Sequence, residues 1–265
     1  MMNNANEISH HTMLYGFIGE EAGQSSMSAT LNKLFKANNK DAMMIPMNIR
    51  EDDLYFTVAN MKRSHVNGAF ISNEYIKNIV EILDEASDTV KISGICDVMI
   101  REGEKLLGDV VGVKAIIEFL KDNGCKKVAL IGIEPKAKAF ASLAKELEIG
   151  YFYDNLESLM GFIDEMKIEN ADINRIAKGM SIDMSSYDAV VDLSDLDDLL
   201  PIEKLAEINL DMKSKKEFSP LKVRANEIET VYIGLDDMYG KLSEVLFEYF
   251  KEKKHLEHDK SDMRF

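Results

Sequence analysis

The sequence predicts an α/β fold whose second half is built like a Rossmann domain, and three observations carry that expectation. Short apolar runs ending in glycine or polar residues alternate with segments whose apolar residues recur at helical spacing. The stretch KKVALIGIEPKAKAFASLAKEL, residues 126–147, reads as strand, tight turn and helix, the unit that opens a dinucleotide-binding domain. The 265 residues allow one large or two modest domains, and 46% hydrophobic content is ordinary for a chain with a packed core.

MLYGFIG, residues 13–19, is a short buried strand ending in glycine. The polar loop EEAGQSSMS leads into ATLNKLFKANN, a helix with Leu31, Leu34 and Phe35 at helical spacing and Ser28 placed to cap its first turn. DAMMIPMNI reads as the second strand, DDLYFTVANMKRSHV as a helix and NGAFIS as the third strand. EYIKNIVEILDEASDTV reads as one amphipathic helix, with Ile76, Ile79, Val80 and Leu83 on a common face. ISGICDVMIREGEKLLGDVVG divides into two strands about the Glu102-Gly103 turn.

Beyond the 126–147 unit, EIGYFYDN is a strand ending at Asp154. YDAVVDLSDLDDLLP carries a short strand, Ala189 to Val191 plus Leu193, that Asp192 interrupts. Ser194 is placed to cap a following turn whose dipole Asp195, Asp197 and Asp198 would complement. Those carboxylates could instead hold Mg²⁺ or Ca²⁺, but they lack an EF-hand spacing, and no metal site is expected. AEINLDM and ETVYIG read as strands, LDDMYGKLSEVLFEYF as a strongly apolar helix, and KEKKHLEHDKSDMRF as a charged, mobile tail.

Bulk properties narrow the function. Lys and Arg total 32 against 47 Asp and Glu, a formal charge of -15, which repels nucleic acid and anionic membranes. Two cysteines, Cys96 and Cys125, sit in no CxxC spacing and no Cys/His cluster, so neither disulfides nor structural zinc are expected. No apolar run reaches the roughly 18 residues of a membrane span, and the N-terminus lacks the basic-then-apolar layout of a secretory signal. The expectation is a soluble cytoplasmic protein with a small-molecule partner, no nucleic acid and no membrane, with a homodimer left open.

The order of these segments resembles the shikimate dehydrogenase family over nearly the whole chain. YGFIG…SMSATLNKLFKANNKDAMMIPMNI matches that family's opening strand, Ser-x-Ser loop and first helix. GAFISNEYIK stands where the family has Asn-Val-Thr-x-Pro-x-Lys, ISGICDVMI where it has Gly-Ala-Val-Asn-Thr, and GDVVGVKAIIEFL where it has Gly-x-Asn-Thr-Asp-Gly. The resemblance implies an N-terminal α/β substrate domain over 12–106, to which helix 236–251 returns. It also implies a Rossmann-like domain over 107–235, a cleft between the two, and a tail over 252–265.

Family members hold a hydroxylated cyclic acid, use a Lys–Asp pair for the proton and pass the hydride to NADP. By resemblance, Ser26 and Ser28 match the carboxylate-binding serines, and Ser72 stands in for the family threonine. The family asparagine beside it becomes Phe70, the proline Glu74, and the second asparagine Cys96 or Asp97. The lysine falls on Ile76, with Lys77 one step later, and the aspartate falls on Gly112, with Asp109 three residues earlier. Lys77 and Asp109 are therefore the candidate catalytic pair, and Ser26, Ser28, Ser72, Cys96 and Asp97 the candidate ligand-binding set. Tyr15, Lys77, Cys96, Asp97 and Asp109 are expected to face the cleft.

The nucleotide side departs further. A Gly-rich βα turn works because small residues let backbone N–H groups approach a diphosphate at the helix N-terminus. Here Gly132 is followed by Ile133, Glu134 and Pro135, which bring a carboxylate and remove one donor. Asp154 lies roughly twenty residues beyond Gly132, the interval at which an acid grips an adenosine ribose. Gly132, Glu134 and Asp154 thus form the candidate cofactor set. It disfavours NADP and suits an adenosine-containing cosubstrate such as NAD or S-adenosylmethionine. Three functions remain open: a repurposed enzyme with an adenosine cosubstrate, such as a methyltransferase; a non-catalytic sensor or scaffold; and an NAD-dependent dehydrogenase with a rearranged site.

Overall fold

The computed structural model describes residues 11–198, 200–213 and 217–262, with side chains to Lys253. The chain divides into two compact units. One holds the residues to Val111 and those from Leu242 onward, the other Gly112–Lys241.

The first unit is built on β1 (Met13–Gly19), α1 (Met27–Ala37), β2 (Ala42–Asn48), α2 (Glu51–Met61), β3 (Val66–Ile71), β4 (Glu85–Ala86), α3 (Asp88–Ser93), β5 (Val98–Glu102) and β6 (Lys105–Asp109). Its sheet runs in the order β2-β1-β3-β5-β6-β4. β1 pairs parallel with β2 and β3, while β5 runs antiparallel to both β3 and β6. The β5–β6 hairpin turns where the sequence places it, because Gly103 accepts a φ of 61° that a side chain would resist.

The segment 74–90 is not the single helix that its apolar spacing predicts. It forms two short 3₁₀ turns, Asn73–Tyr75 and Asn78–Ile82, then β4 and α3. Tertiary bonds explain the difference. Asp84 takes the Lys62 ammonium at 2.8 Å and the Leu106 N–H at 2.8 Å, which draws the chain out alongside β6. Helix propensity of a few tenths of a kcal/mol per residue yields to such bonds.

The second unit comprises α4 (Gly112–Asp122), β7 (Lys127–Ile131), α5 (Pro135–Leu143), β8 (Glu148–Tyr153), α6 (Leu156–Glu165), β9 (Asp172–Arg175), β10 (Ile182–Asp183), β11 (Ala189–Asp192), β12 (Ile202–Lys204), β13 (Ile208–Asp211) and α7 (Pro220–Glu227). Five strands lie parallel in the order β13-β11-β7-β8-β9, and β10 pairs with β12 apart from them. β11 is buried throughout, and so are Val128–Ile131 of β7 and Gly150–Phe152 of β8, as a sheet covered on both faces requires. Two expectations fail here. ETVYIG contributes only an isolated bridge, Leu210 with Ile233, and residues 195–198 form no helix, although the Ser194 hydroxyl does accept the Leu196 N–H at 3.3 Å. Asp195, Asp197 and Asp198 therefore have no dipole to complement. α7 was missed, although Ser219 caps it through the Lys222 N–H and Pro220 opens it.

The last helix, α8 (Leu235–Asp262), starts in the second unit and continues into the first. Its backbone stays helical to Asp262, across most of the stretch the sequence assigns to a tail; residues 263–265 lie outside the described residues. In the first unit Phe250 stacks on Tyr15 with ring centroids 4.0 Å apart, and Tyr15 stacks on Phe35 at 5.8 Å. Tyr15 is thus a core residue of β1, with only 5% of its surface exposed.

Candidate functional site

The first unit gathers most of the candidate ligand-binding residues at two places. One is the start of α1. Ser26 is exposed and precedes the helix, its carbonyl accepting the Thr30 N–H at 2.9 Å. Ser28 lies inside the helix rather than capping it, is 5% exposed, and its Oγ has no hydrogen-bond partner.

The end of β3 is the other edge of this region. Ser72 donates its hydroxyl to Glu74 Oε2, and Glu74 Oε1 accepts the Glu20 N–H at 2.9 Å. Glu74 thus ties β1 to β3 and occupies the hydroxyl that the resemblance assigns to a ligand. Tyr75 buries its side chain and donates to the Ile49 carbonyl at 2.7 Å. Ile76 is 5% exposed, whereas Lys77 is exposed to solvent. One residue along a 3₁₀ turn rotates a side chain by about 120°, so the lysine points away from the position its neighbour fills.

A second cluster forms where β5 and β6 meet. Asp97 is buried, and its Oδ1 accepts the Val111 N–H at 2.6 Å. Asp109 accepts the Ser87 hydroxyl and the Val110 N–H, each at 2.8 Å. Cys96 is fully buried with its thiol on the Val98 carbonyl at 3.2 Å, and burial, then the Asp97 charge, pushes it far above the ordinary thiol range. A thiol so held is neither a nucleophile nor a metal ligand. Tyr249, on α8, joins this group; burial, then the Asp109 charge, pushes its hydroxyl up. Tyr249 went unrecognised because the apolar stripe of its helix masks it.

In the second unit the turn after β7 keeps its first glycine and fills the rest. Gly132 has a φ of 124°, and a Cβ there would stand 2.8 Å from the Ser194 nitrogen. Glu134 precedes Pro135 and α5, and its carboxylate folds back on the turn. Oε2 accepts the Ile133 N–H at 2.8 Å, and Oε1 accepts the Tyr153 hydroxyl at 2.8 Å. Burial, and then this bond, raise the Tyr153 hydroxyl well above its usual range. Lys138, one turn along, is held by Glu165 at 2.6 Å and 2.8 Å. Asp154 ends exposed beyond β8, with its main-chain carbonyl accepting from Arg175 at 3.2 Å.

A buried polar cluster at the ends of β11 and β13 was not anticipated. Asp192 pairs in register with Asp211. Its Oδ1 takes the Ser194 hydroxyl at 2.6 Å and N–H at 3.0 Å, while Oδ2 has no hydrogen bond and stands 3.8 Å from Lys213 Nζ. Burial pushes its carboxyl up to about 6. Among the described residues, no group of three His, Cys, Asp or Glu side chains is arranged to hold a metal, and no helix is long and apolar enough to cross a membrane.

No family model matches the chain. Curated relatives do. An NADP-dependent shikimate dehydrogenase of Clostridium perfringens is 26% identical over 195 residues, which cover 63% of this chain and 69% of that protein. Its counterpart from Alkaliphilus oremlandii is 29% identical over 117 residues, covering 44% of this chain and 41% of that protein. This chain therefore spans from about two-fifths to seven-tenths of those proteins. Among solved structures, a shikimate dehydrogenase in complex with NADP+ superposes with a TM-score of 0.71 at 17% identity, over 92% of this chain and 91% of that one. At that identity the superposition establishes a shared two-domain, Rossmann-like fold.

Proposed function

We propose that this chain, which belongs with the shikimate dehydrogenases in sequence and in fold, binds a small hydroxylated acid but does not oxidise it by the family's chemistry. The observation that carries the reading is Ile76. Hydride loss from a secondary alcohol needs a base within hydrogen-bond reach of the hydroxyl as its proton leaves. The position that the resemblance assigns to the family lysine carries a buried hydrocarbon, and Lys77, the next residue, is exposed. By the same resemblance the family aspartate corresponds to Gly112, and Asp109 already holds two donors on one oxygen.

NADP, the dinucleotide named for the relatives, does not fit the residues present. Glu134 occupies the turn that would cradle its diphosphate, and Asp154 stands where its ribose phosphate would need a cation. A ligand carboxylate is supported at Ser28, whose buried Oγ lacks a partner, with Ser26 exposed two residues earlier at the start of the helix. A hydroxyl left unsatisfied in this way gains about 1–3 kcal/mol when an acceptor arrives.

A second reading, an oxidoreductase of the shikimate type with a rearranged site, is favoured by the curated relatives. It would use Lys77 and Asp109, with NAD rather than NADP. One experiment separates the two. Purified protein is given shikimate with NAD or NADP, and reduced nicotinamide is followed by absorbance, while shikimate binding is measured by calorimetry. We expect binding without turnover, weakened about tenfold in Ser28→Ala, as the loss of one good hydrogen bond implies. Turnover that disappears in Lys77→Ala would replace the first reading with the second. S-adenosylmethionine belongs in the same binding panel as the remaining adenosine candidate.

A further inference from the structure

We infer that Glu134 is a built-in anion that sets nucleotide specificity: it closes the turn after β7 to ligands with a diphosphate and leaves it open to nucleosides without one. The inference deepens the part of the reading above that turns NADP away at Glu134, and it does not depend on Ile76 or Ser28 in the other unit.

The turn retains the backbone of a phosphate cradle. Gly132 adopts its left-handed conformation and packs against the Ser194 backbone at a distance no side chain allows. What differs is who uses the donors. The Ile133 N–H, which a phosphate would take, bonds Glu134 Oε2 at 2.8 Å. Pro135 has no N–H to offer. The Lys138 ammonium is committed to Glu165 at 2.6 Å and 2.8 Å.

Glu134 does not hang loose in solvent. Its second oxygen is fixed by the Tyr153 hydroxyl at 2.8 Å, so the carboxylate is clamped between the first and second strands of the unit. An incoming diphosphate would have to displace the carboxylate from the Ile133 N–H and the Tyr153 hydroxyl, and would bring like charge into contact with it. A nucleoside lacking phosphate meets no such barrier. The exposed Asp154, next to Tyr153, then offers a carboxylate to sugar hydroxyls.

Calorimetry on the full chain tests this, with ADP-ribose as the diphosphate probe and adenosine as the probe without one. Wild type is expected to bind adenosine, and Glu134→Gly to bind ADP-ribose at least tenfold more tightly than wild type does. Glu134→Gln keeps the shape and removes the charge. A gain in both variants supports charge as the barrier, whereas a gain in Glu134→Gly alone would overturn the inference by showing that bulk closes the turn. Tyr153→Phe, which frees one oxygen of the clamp, should give a smaller gain. Adenosine affinity should stay level throughout. Far-UV circular dichroism and melting report whether each variant is folded, and Glu134→Gln carries the test if Glu134→Gly is not. ADP-ribose binding wild type as tightly as the variants, variants that gain nothing, or a wild type that holds neither probe would each overturn the inference. Neither an acid ligand nor turnover enters this assay, so its result stands apart from that of the shikimate experiment.

Discussion

At Ser28, stability and binding pull in opposite directions. Its Oγ is buried without a partner, a state that destabilises the ligand-free protein by about 1–3 kcal/mol. Ser28→Ala should therefore melt higher than wild type, by roughly 1 kcal/mol in denaturant titrations, while losing affinity for an acid ligand. A variant that melts lower would show that the hydroxyl serves the fold. Asp192 makes a second residue-scale expectation. Its carboxyl is raised from 3.8 to about 6 in the folded protein. Across that interval the folded state holds a proton that the unfolded chain has released, so stability falls as pH rises through it. Asp192→Asn removes this contribution. Denaturant titrations at about pH 4 and about pH 6 should show the variant losing less stability than wild type, by on the order of 2 kcal/mol. An unchanged difference would place the burial penalty elsewhere. Sequence alone exposed Glu134 and the absent lysine, because each breaks a local rule at a fixed position. It could not expose Tyr153 on Glu134, or Lys213 near Asp192, since both contacts arise only when parallel strands come into register.

Elements were legible where one period dominates. β1, β3, β7 and the β5–β6 hairpin follow from short apolar runs closed by glycine or polar turns. Residues 74–90 misled because apolar residues three apart suit a 3₁₀ turn as well as an α-helix, and bonds to Lys62 and Leu106 decided between them. α7 had its Ser-Pro opening in plain view but lacks an apolar stripe to draw notice. The docking of α8 depends on aromatic stacking that is invisible in sequence. Phe250 is 3% exposed and lies against Tyr15. Phe250→Ala should cost about 3–5 kcal/mol, the usual range for deleting a buried aromatic, measured as a lower denaturation midpoint with an unchanged slope. A loss under about 1 kcal/mol would mean that the helix packs loosely there.

For the molecule as a whole, the formal charge is -15. Pairs such as Lys91–Asp88 and Lys105–Glu85 are well exposed, and solvent screening leaves such pairs little net effect. Screening the excess negative charge should outweigh screening those pairs. Raising salt from about 0.02 M to about 0.15 M is expected to increase the melting temperature; a decrease would show that local pairs matter more than the overall field. The helix shared between the two units has a consequence for biosynthesis. The residues of the second unit, Gly112–Lys241, have all been synthesised before translation reaches Leu242. On the ribosome that unit can close on itself, whereas the opening segment must wait, its β1 aromatic face uncovered, until the final helix emerges to seal it.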